Sequence, residues 1–251
     1  MRSYLDACDV GLFELKGRKL PVAMLGTSPF CGAGQFGPRA ELYYKTFYER
    51  PQNMVRLIAA SAELGVPAVH VVAYPKICWA VSEASRACDI ELCILGTMGL
   101  LDPVRELKRL LALGAIGVSV HADIVDGDPS SVQRYAAVIR GGGAAVGVAT
   151  HRPWRTLAVI RGLDLDFVMA PVNKLGYMMG PRPDETLELL RSLEVPIIAI
   201  KPLAAGELRP DEAFEFLSSR VDAVAVGIAS EKELEETWRA VKKHFTRREG
   251  T

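Results

Sequence analysis

V-P-I-I-A-I-K-P-L-A-A-G-E-L, residues 195–208, is an apolar run that breaks at Lys201 into a corner rich in proline and glycine. Unbroken Ile and Ala character suits a strand buried on both faces, as in a parallel sheet. A helix is expected to follow at once, from Asp211 to Ser219. The stretch D-A-V-A-V-G-I-A-S-E-K, residues 222–232, repeats the pattern. There Ser230 opens a helix with Glu233 three residues on, the spacing of a capping box. Leu234, Trp238, Val241 and Phe245 then recur at helical intervals. The chain is written in strand–corner–helix units.

Working outward, the same unit recurs towards the N-terminus. Residues 12–16 and 20–25 flank Gly17-Arg18 and predict a hairpin leading into the first core strand. Later strands are predicted at Ala68–Ala73, Glu91–Leu95, Ile116–His121, Ala144–Thr150 and Phe167–Val172. Each is followed by a helical pattern. The first helix carries Met54, Leu57, Ile58 and Leu64 and stops at Gly65. Asp102-Pro103 opens another, as N-cap and first-turn proline. With the two C-terminal units the count is eight. Eight repeats in 251 residues predict a single (β/α)8 barrel rather than an open doubly wound sheet. No Gly-x-Gly-x-x-Gly corner follows a strand, and Gly32-Ala33-Gly34 lies in a loop. No linker or second domain interrupts residues 1–251.

Composition narrows the partners. The chain is 49% hydrophobic and 24% charged with zero formal net charge, which gives a nucleic acid or an acidic membrane no electrostatic support. No apolar run approaches the ~18 residues of a membrane span. Five cysteines without a C-x-x-C pair read as reduced thiols of a cytoplasmic protein. Scarce Asn and Gln hint at a thermophile. Oligomeric state is not legible.

A barrel of this kind places its site at the carboxyl ends of its strands. Those positions hold Ser28 and Cys31, Tyr74 and Lys76, Thr97, His121 and Asp123, His151 and Arg152, Asn173 and Lys174, Lys201, and Ser230. A metal held by His121, Asp123 and His151, with or without His70, lacks any short ligand spacing and is not assigned. Lys174 or Lys201 could serve as a Schiff-base lysine, or could pair with a carboxylate or an anion. The corner Pro202–Gly206 and the helix start after Ser230 are the loops that commonly bind phosphate.

Residues 26–52 exceed the ordinary connection of 2–6 residues. Phe30, Phe36, Tyr43, Tyr44, Phe47 and Tyr48 lie in this segment, which must therefore pack down. A helix is expected over Ala40–Glu49, with four of those aromatics on one face. Placed above the barrel mouth, the segment would act as a lid, with Phe36 as an apolar wall; the alternative is a helix that plugs the surface or makes a subunit contact.

K-G-R-K-L-P-V-A-M-L-G-T at the start, Gly147-Val148, P-V-N-K-L (171–175), K-P-L-A-A-G-E-L (201–208) and V-G-I-A-S-E-K-E-L-E-E (226–236) together give the chain a resemblance to the aldo-keto reductase superfamily. It implies the barrel with its N-terminal hairpin, and carbonyl reduction with NADPH by an Asp, a Tyr, a Lys and a His. Only the His carries over, as His121. His70 stands for the Asp, Pro75 for the Tyr with Tyr74 beside it, and Gly96-Thr97 for the Lys. Ala149-Thr150 replaces the Ser-Asn pair at the nicotinamide amide, and Met169 replaces the Gln. The cofactor is thus unassigned, because the positions that contact nicotinamide do not support NADPH. The expected function is an enzyme acting on a small polar or phosphorylated metabolite. His121, Tyr74 and Lys201 are its candidate catalytic groups, and Ser28, Phe36, His151, Asn173, Lys174, Gly206 and Ser230 its candidate binding groups. A Schiff-base or metal-dependent lyase or isomerase, or a silent ligand-binding barrel, are the alternatives.

Overall fold

A computed structural model of the chain describes residues 1–245. Ten strands form: β1 (Leu12–Leu15), β2 (Arg18–Pro21), β3 (Ala23–Gly26), β4 (Ala68–Val72), β5 (Cys93–Met98), β6 (Gly117–Val120), β7 (Ala145–Ala149), β8 (Phe167–Pro171), β9 (Ile197–Ile200) and β10 (Ala223–Gly227). The first two pair antiparallel, with Leu15 opposite Arg18. Their turn, Lys16-Gly17, has positive φ at both residues, which matches the twist of a tight hairpin. The other eight close in the order β10-β3-β4-β5-β6-β7-β8-β9. Every neighbouring pair is parallel. The eight-stranded α/β barrel with a long first connection is as the repeats require.

Helices cover the barrel after each strand, and six of the eight begin on proline: Pro51, Pro75, Pro103, Pro153, Pro183 and Pro210. Proline suits a first turn, where its missing N–H would lack an intrahelical partner anyway. The capping box at Ser230 reaches one residue further than expected. Its hydroxyl accepts from Glu233 N, while the Glu233 carboxylate accepts from Ala229 N at 2.9 Å.

The strands are apolar throughout because both of their faces are buried. Leu25, Val69, Val71, Val118, Val120, Val146, Val148, Val168, Val224 and Val226 pack outward against the helices. Met24, Ala68, Leu95, Ala145, Phe167, Met169, Ile198 and Ala225 fill the lumen, and Leu15 and Leu20 of the hairpin join them. Phe167 is fully buried and needs the space of two glycines. A Cβ on Gly147 would lie 2.3 Å from its ring, and one on Gly117 2.9 Å.

Several boundaries differ from the sequence expectation. The run 20–25 is two strands, since Pro21 ends β2 and β3 begins only at Ala23. β5 runs on to Met98, so Thr97 lies within the strand, paired with Val72. His121 caps a short helix, Ala122–Val125, that no periodicity announced. The helix over 40–49 forms as an α-turn, Arg39–Tyr43, continuing into a π-turn, Tyr44–Tyr48. Its aromatics divide: Phe47 is buried against Phe30, while Tyr44 is 41% exposed and stacks on Tyr48.

Candidate active site

The lumen is apolar at its lower layers and turns polar near the carboxyl ends of the strands. His70 alternates with outward-facing Val69 and Val71, so its ring points inward. Its Nε2 lies 2.8 Å from Thr97 Oγ1, which lies 2.6 Å from Ser119 Oγ, and that oxygen is 3.3 Å from Gly96 O. Donation along this chain from Nε2–H to the Gly96 carbonyl satisfies each member. Burial, reinforced by His121 and Lys201, lowers the His70 pKa to about 4, so its ring is neutral at pH 7.

Three further groups ring this layer. His121 follows β6 and caps the next helix: its Nδ1 accepts from Asp123 N at 3.2 Å. That bond assigns the proton of the neutral ring to Nε2. Its ring centroid lies 5.7 Å from that of His151, edge to face. Burial lowers the pKa of His121, with Asp123 acting in the opposite sense. For His151, burial, Lys201 and His121 together bring it to about 4. Lys201 follows β9, and burial alone lowers its ammonium to about 8. Among the described residues no carboxylate lies within ion-pair distance of it. Its backbone is left-handed, with φ 54°, a conformation that costs a non-glycine residue ~1 kcal/mol or more. Asn173 Nδ2 and Ala204 N both donate to the Lys201 carbonyl and hold it there.

The first connection packs onto this mouth from the β10–β3–β4 side. Phe30 and Phe47 stack inside it at 4.9 Å, and Tyr48 meets Tyr74 edge-on at 6.0 Å. Phe36 lies over Gly227, beside Tyr43. Arg39 reaches the corner after β9 and donates to Ala205 O at 2.6 Å. Between segment and corners lies a cavity of about 210 Å³, bounded by Phe36, Arg39, Tyr43, Lys201, Gly206 and Glu233 among others. That is roughly seven waters' worth of space.

The expected site residues therefore divide. His121, His151 and Lys201 come together at the mouth, and Phe36 and Gly206 line the adjoining cavity with Lys201. Asn173 does not open to a ligand. It is buried, and its amide is spent on Tyr177 O, Lys201 O and Tyr177 N, so it is a brace for the corners after β8 and β9. Lys174 points outward and pairs with Glu212 at 2.6 Å on the surface; a covalent role for it is withdrawn. Ser230 is occupied as a helix cap, and the Glu233 carboxylate fills the position an anion would take there. Tyr74 has its pKa raised by burial and then by Cys31, Tyr48 and Glu106. That places it beside the first connection rather than among the histidines. Ser28 starts the 3-10 turn after β3 and bonds through its carbonyl to Cys31 and Ala33. Ser119 and Arg39 were missed. Ser119 had a signal, a lone hydroxyl between Val118 and Val120 in a buried strand; Arg39 had none. No group of three or more His, Cys, Asp or Glu among the described residues is arranged to hold a metal.

Solved structures share this architecture. A provisional aldo-keto reductase from Pseudomonas aeruginosa superposes with TM-score 0.65 at 19% identity, covering 93% of this chain and 95% of its own. An aldo/keto reductase from Brucella melitensis gives 0.67 at 12% identity, with 93% and 97% covered. A thermostable aldo-keto reductase crystallised with the inhibitor epalrestat gives 0.63 at 16%, with 92% and 94% covered. No family model and no curated protein matches the chain. The chain has an aldo-keto reductase-like barrel fold, and at this identity the likeness reaches no further than the fold.

The cofactor that this fold brings to mind, a nicotinamide dinucleotide, does not fit the residues present. Ala149 offers no side-chain hydrogen bond, Thr150 Oγ1 donates to Asp126 Oδ1 at 2.5 Å, and Met169 is fully buried beside Ser119. None can hold a carboxamide, and the cavity is below the ~300 Å³ at which sites for larger ligands begin.

Proposed function

We propose that the protein is an enzyme that binds a small anionic metabolite at the carboxyl end of the barrel and moves a proton on it. The observation that carries this reading is a buried lysine ammonium with no carboxylate partner among the described residues, beside three histidines that burial keeps neutral. A desolvated cation of that kind attracts a carboxylate, a phosphoryl group or a developing oxyanion far more strongly than one in water. His121 offers Nε2–H to a substrate oxygen. His151, whose ring nitrogens have no hydrogen-bond partner among the described residues, is free to accept a proton. Phe36 and Tyr43 supply apolar walls, and Arg39 a second cation.

The test is titration calorimetry with inorganic phosphate and phosphoenolpyruvate. Binding at pH 7 is expected to weaken at least about tenfold in Lys201→Met, equivalent to ~1.4 kcal/mol. It should weaken likewise in the wild type as pH rises through about 8, where Lys201 loses its charge. Equal affinity in both proteins and at both pH values would refute the site. A silent binding barrel is separated by proton–deuterium exchange at the carbon next to a bound carbonyl: exchange abolished by His151→Asn marks an enzyme.

A further inference from the structure

Resting on that reading of the mouth, we infer that Lys201 is also a nucleophile, which forms a Schiff base with the carbonyl carbon of a short aldehyde or oxo acid seated between His121, His151 and the cavity under Phe36. Four features of the geometry converge on this residue. The residue borders the cavity, and its charge is close enough to His70, His121 and His151 to lower the pKa of each. Its backbone is held in a left-handed conformation by hydrogen bonds from Asn173 and Ala204 to its carbonyl, so the amine starts from a fixed base. Among the described residues no carboxylate pairs with it to hold the proton on it. The titratable groups that its charge influences are His70 from β4, His121 beyond β6 and His151 beyond β7, while Arg39, Glu233 and Glu236 share the lining of the cavity it borders. Its nearest basic neighbours are thus neutral imidazoles, able to take up a proton and return it.

The step balances without any redox partner. The neutral Nζ attacks the carbonyl carbon, so a C–N bond forms and the C=O electron pair moves onto oxygen, which the His121 Nε2–H stabilises. His151 takes one proton from nitrogen and passes it to that oxygen, giving a carbinolamine. A second proton from solvent, delivered through the same ring, lets the C–O bond break. Oxygen leaves as water, and a protonated imine remains on Lys201. That imine draws electrons from the adjacent carbon, so loss of a proton there, or cleavage of a neighbouring C–C bond, becomes accessible. A titration near 8 leaves about one amine in ten unprotonated at pH 7, against roughly one in three thousand for an ordinary lysine.

Acetylacetone reports on such lysines because it converts a reactive amine to a stable enaminone that absorbs in the near ultraviolet. Wild-type protein is treated at pH 7.5 and its peptides are mapped by mass spectrometry over time. Lys201 is expected to react at least about tenfold faster than any of the other nine lysines, with a rate that rises through pH 8. Lys201→Arg should abolish the early absorbance, and because the map is read on the wild type the answer does not depend on how that variant folds. Labelling of Lys201 no faster than that of exposed lysines, or later than theirs, overturns the covalent role. If phosphate binding still depends on Lys201 in that event, the non-covalent reading of the mouth stands and only this step falls.

Discussion

A histidine stays neutral at pH 7 when burial outweighs any nearby anion, and His70 and His151 meet that condition. The sign of the consequence follows from linkage. Their pKa is about 6.5 in the unfolded chain and about 4 in the folded one, so the unfolded state binds more protons between those values. Stability is full above about pH 6.5 and erodes as pH falls towards 4. Glu106 extends the loss. Burial alone would raise its pKa, but four backbone N–H groups, from Gly99, Leu100, Leu101 and Asp102, donate to its carboxylate at 2.5–3.1 Å and bring the net shift below the ordinary value. Its contribution is therefore present above that value and lost below it. Thermal melts from pH 7 to pH 4 should show a steady fall; a flat profile would contradict the neutral histidines. Asn173→Ala should cost about 2–3 kcal/mol, because two carbonyls and an N–H lose their partner, and so lower Tm by roughly 5–10 °C. An unchanged Tm would return Asn173 to the candidate ligand contacts. Residue identity alone could not separate Lys174 from Lys201. Both end a strand in sequence, and what distinguishes them is that Lys174 pairs with Glu212 outside the barrel while Lys201 is buried near three histidines, with no ion-pair partner among the described residues.

Elements are more legible in the sequence than residue roles, because an apolar strand followed by a capped helix needs only local order. The limits were also local. Pro21 interrupts a run that periodicity treats as continuous, and the π-turn at Tyr44–Tyr48 depends on packing of Phe47 against Phe30 that no spacing encodes. Packing inside the barrel permits a sharper test. Gly147→Ala puts a methyl 2.3 Å from the Phe167 ring, and overpacking of that kind should cost about 1–3 kcal/mol. A Tm loss of several degrees is expected, and a neutral outcome would mean that Phe167 has room to turn. In the first connection, Phe47→Ala should cost about 3–5 kcal/mol, since the ring is buried against Phe30. Phe36→Ala should cost under ~1 kcal/mol of stability while weakening phosphoenolpyruvate binding, because its ring borders the cavity. Reversed effects would make the segment a plug rather than a wall of the site.

At the scale of the whole molecule, eight repeats and an N-terminal hairpin define a closed barrel whose lower lumen is sealed by Phe167, Leu15 and Leu20 and whose mouth is polar. That gradient was legible only in part. The sequence places His121, His151 and Lys201 at strand ends, but the alliance of His70, Thr97 and Ser119 depends on which way each strand faces. The likeness to aldo-keto reductases extends over 93% of the chain without their nicotinamide contacts. NADPH should accordingly bind no tighter than about 100 μM by fluorescence titration, ~2–3 kcal/mol short of a low-micromolar site; low-micromolar binding would overturn the assignment of Ala149, Thr150 and Met169. Among the described residues Lys201 has no counter-ion, and its neighbours are neutral rings. Lysine side chains labelled with carbon-13 can be followed by NMR as pH rises from 6 to 11. One of the ten lysine signals is predicted to titrate at about 8 and to be absent from the Lys201→Arg spectrum. Ten signals all titrating above 10 would contradict it.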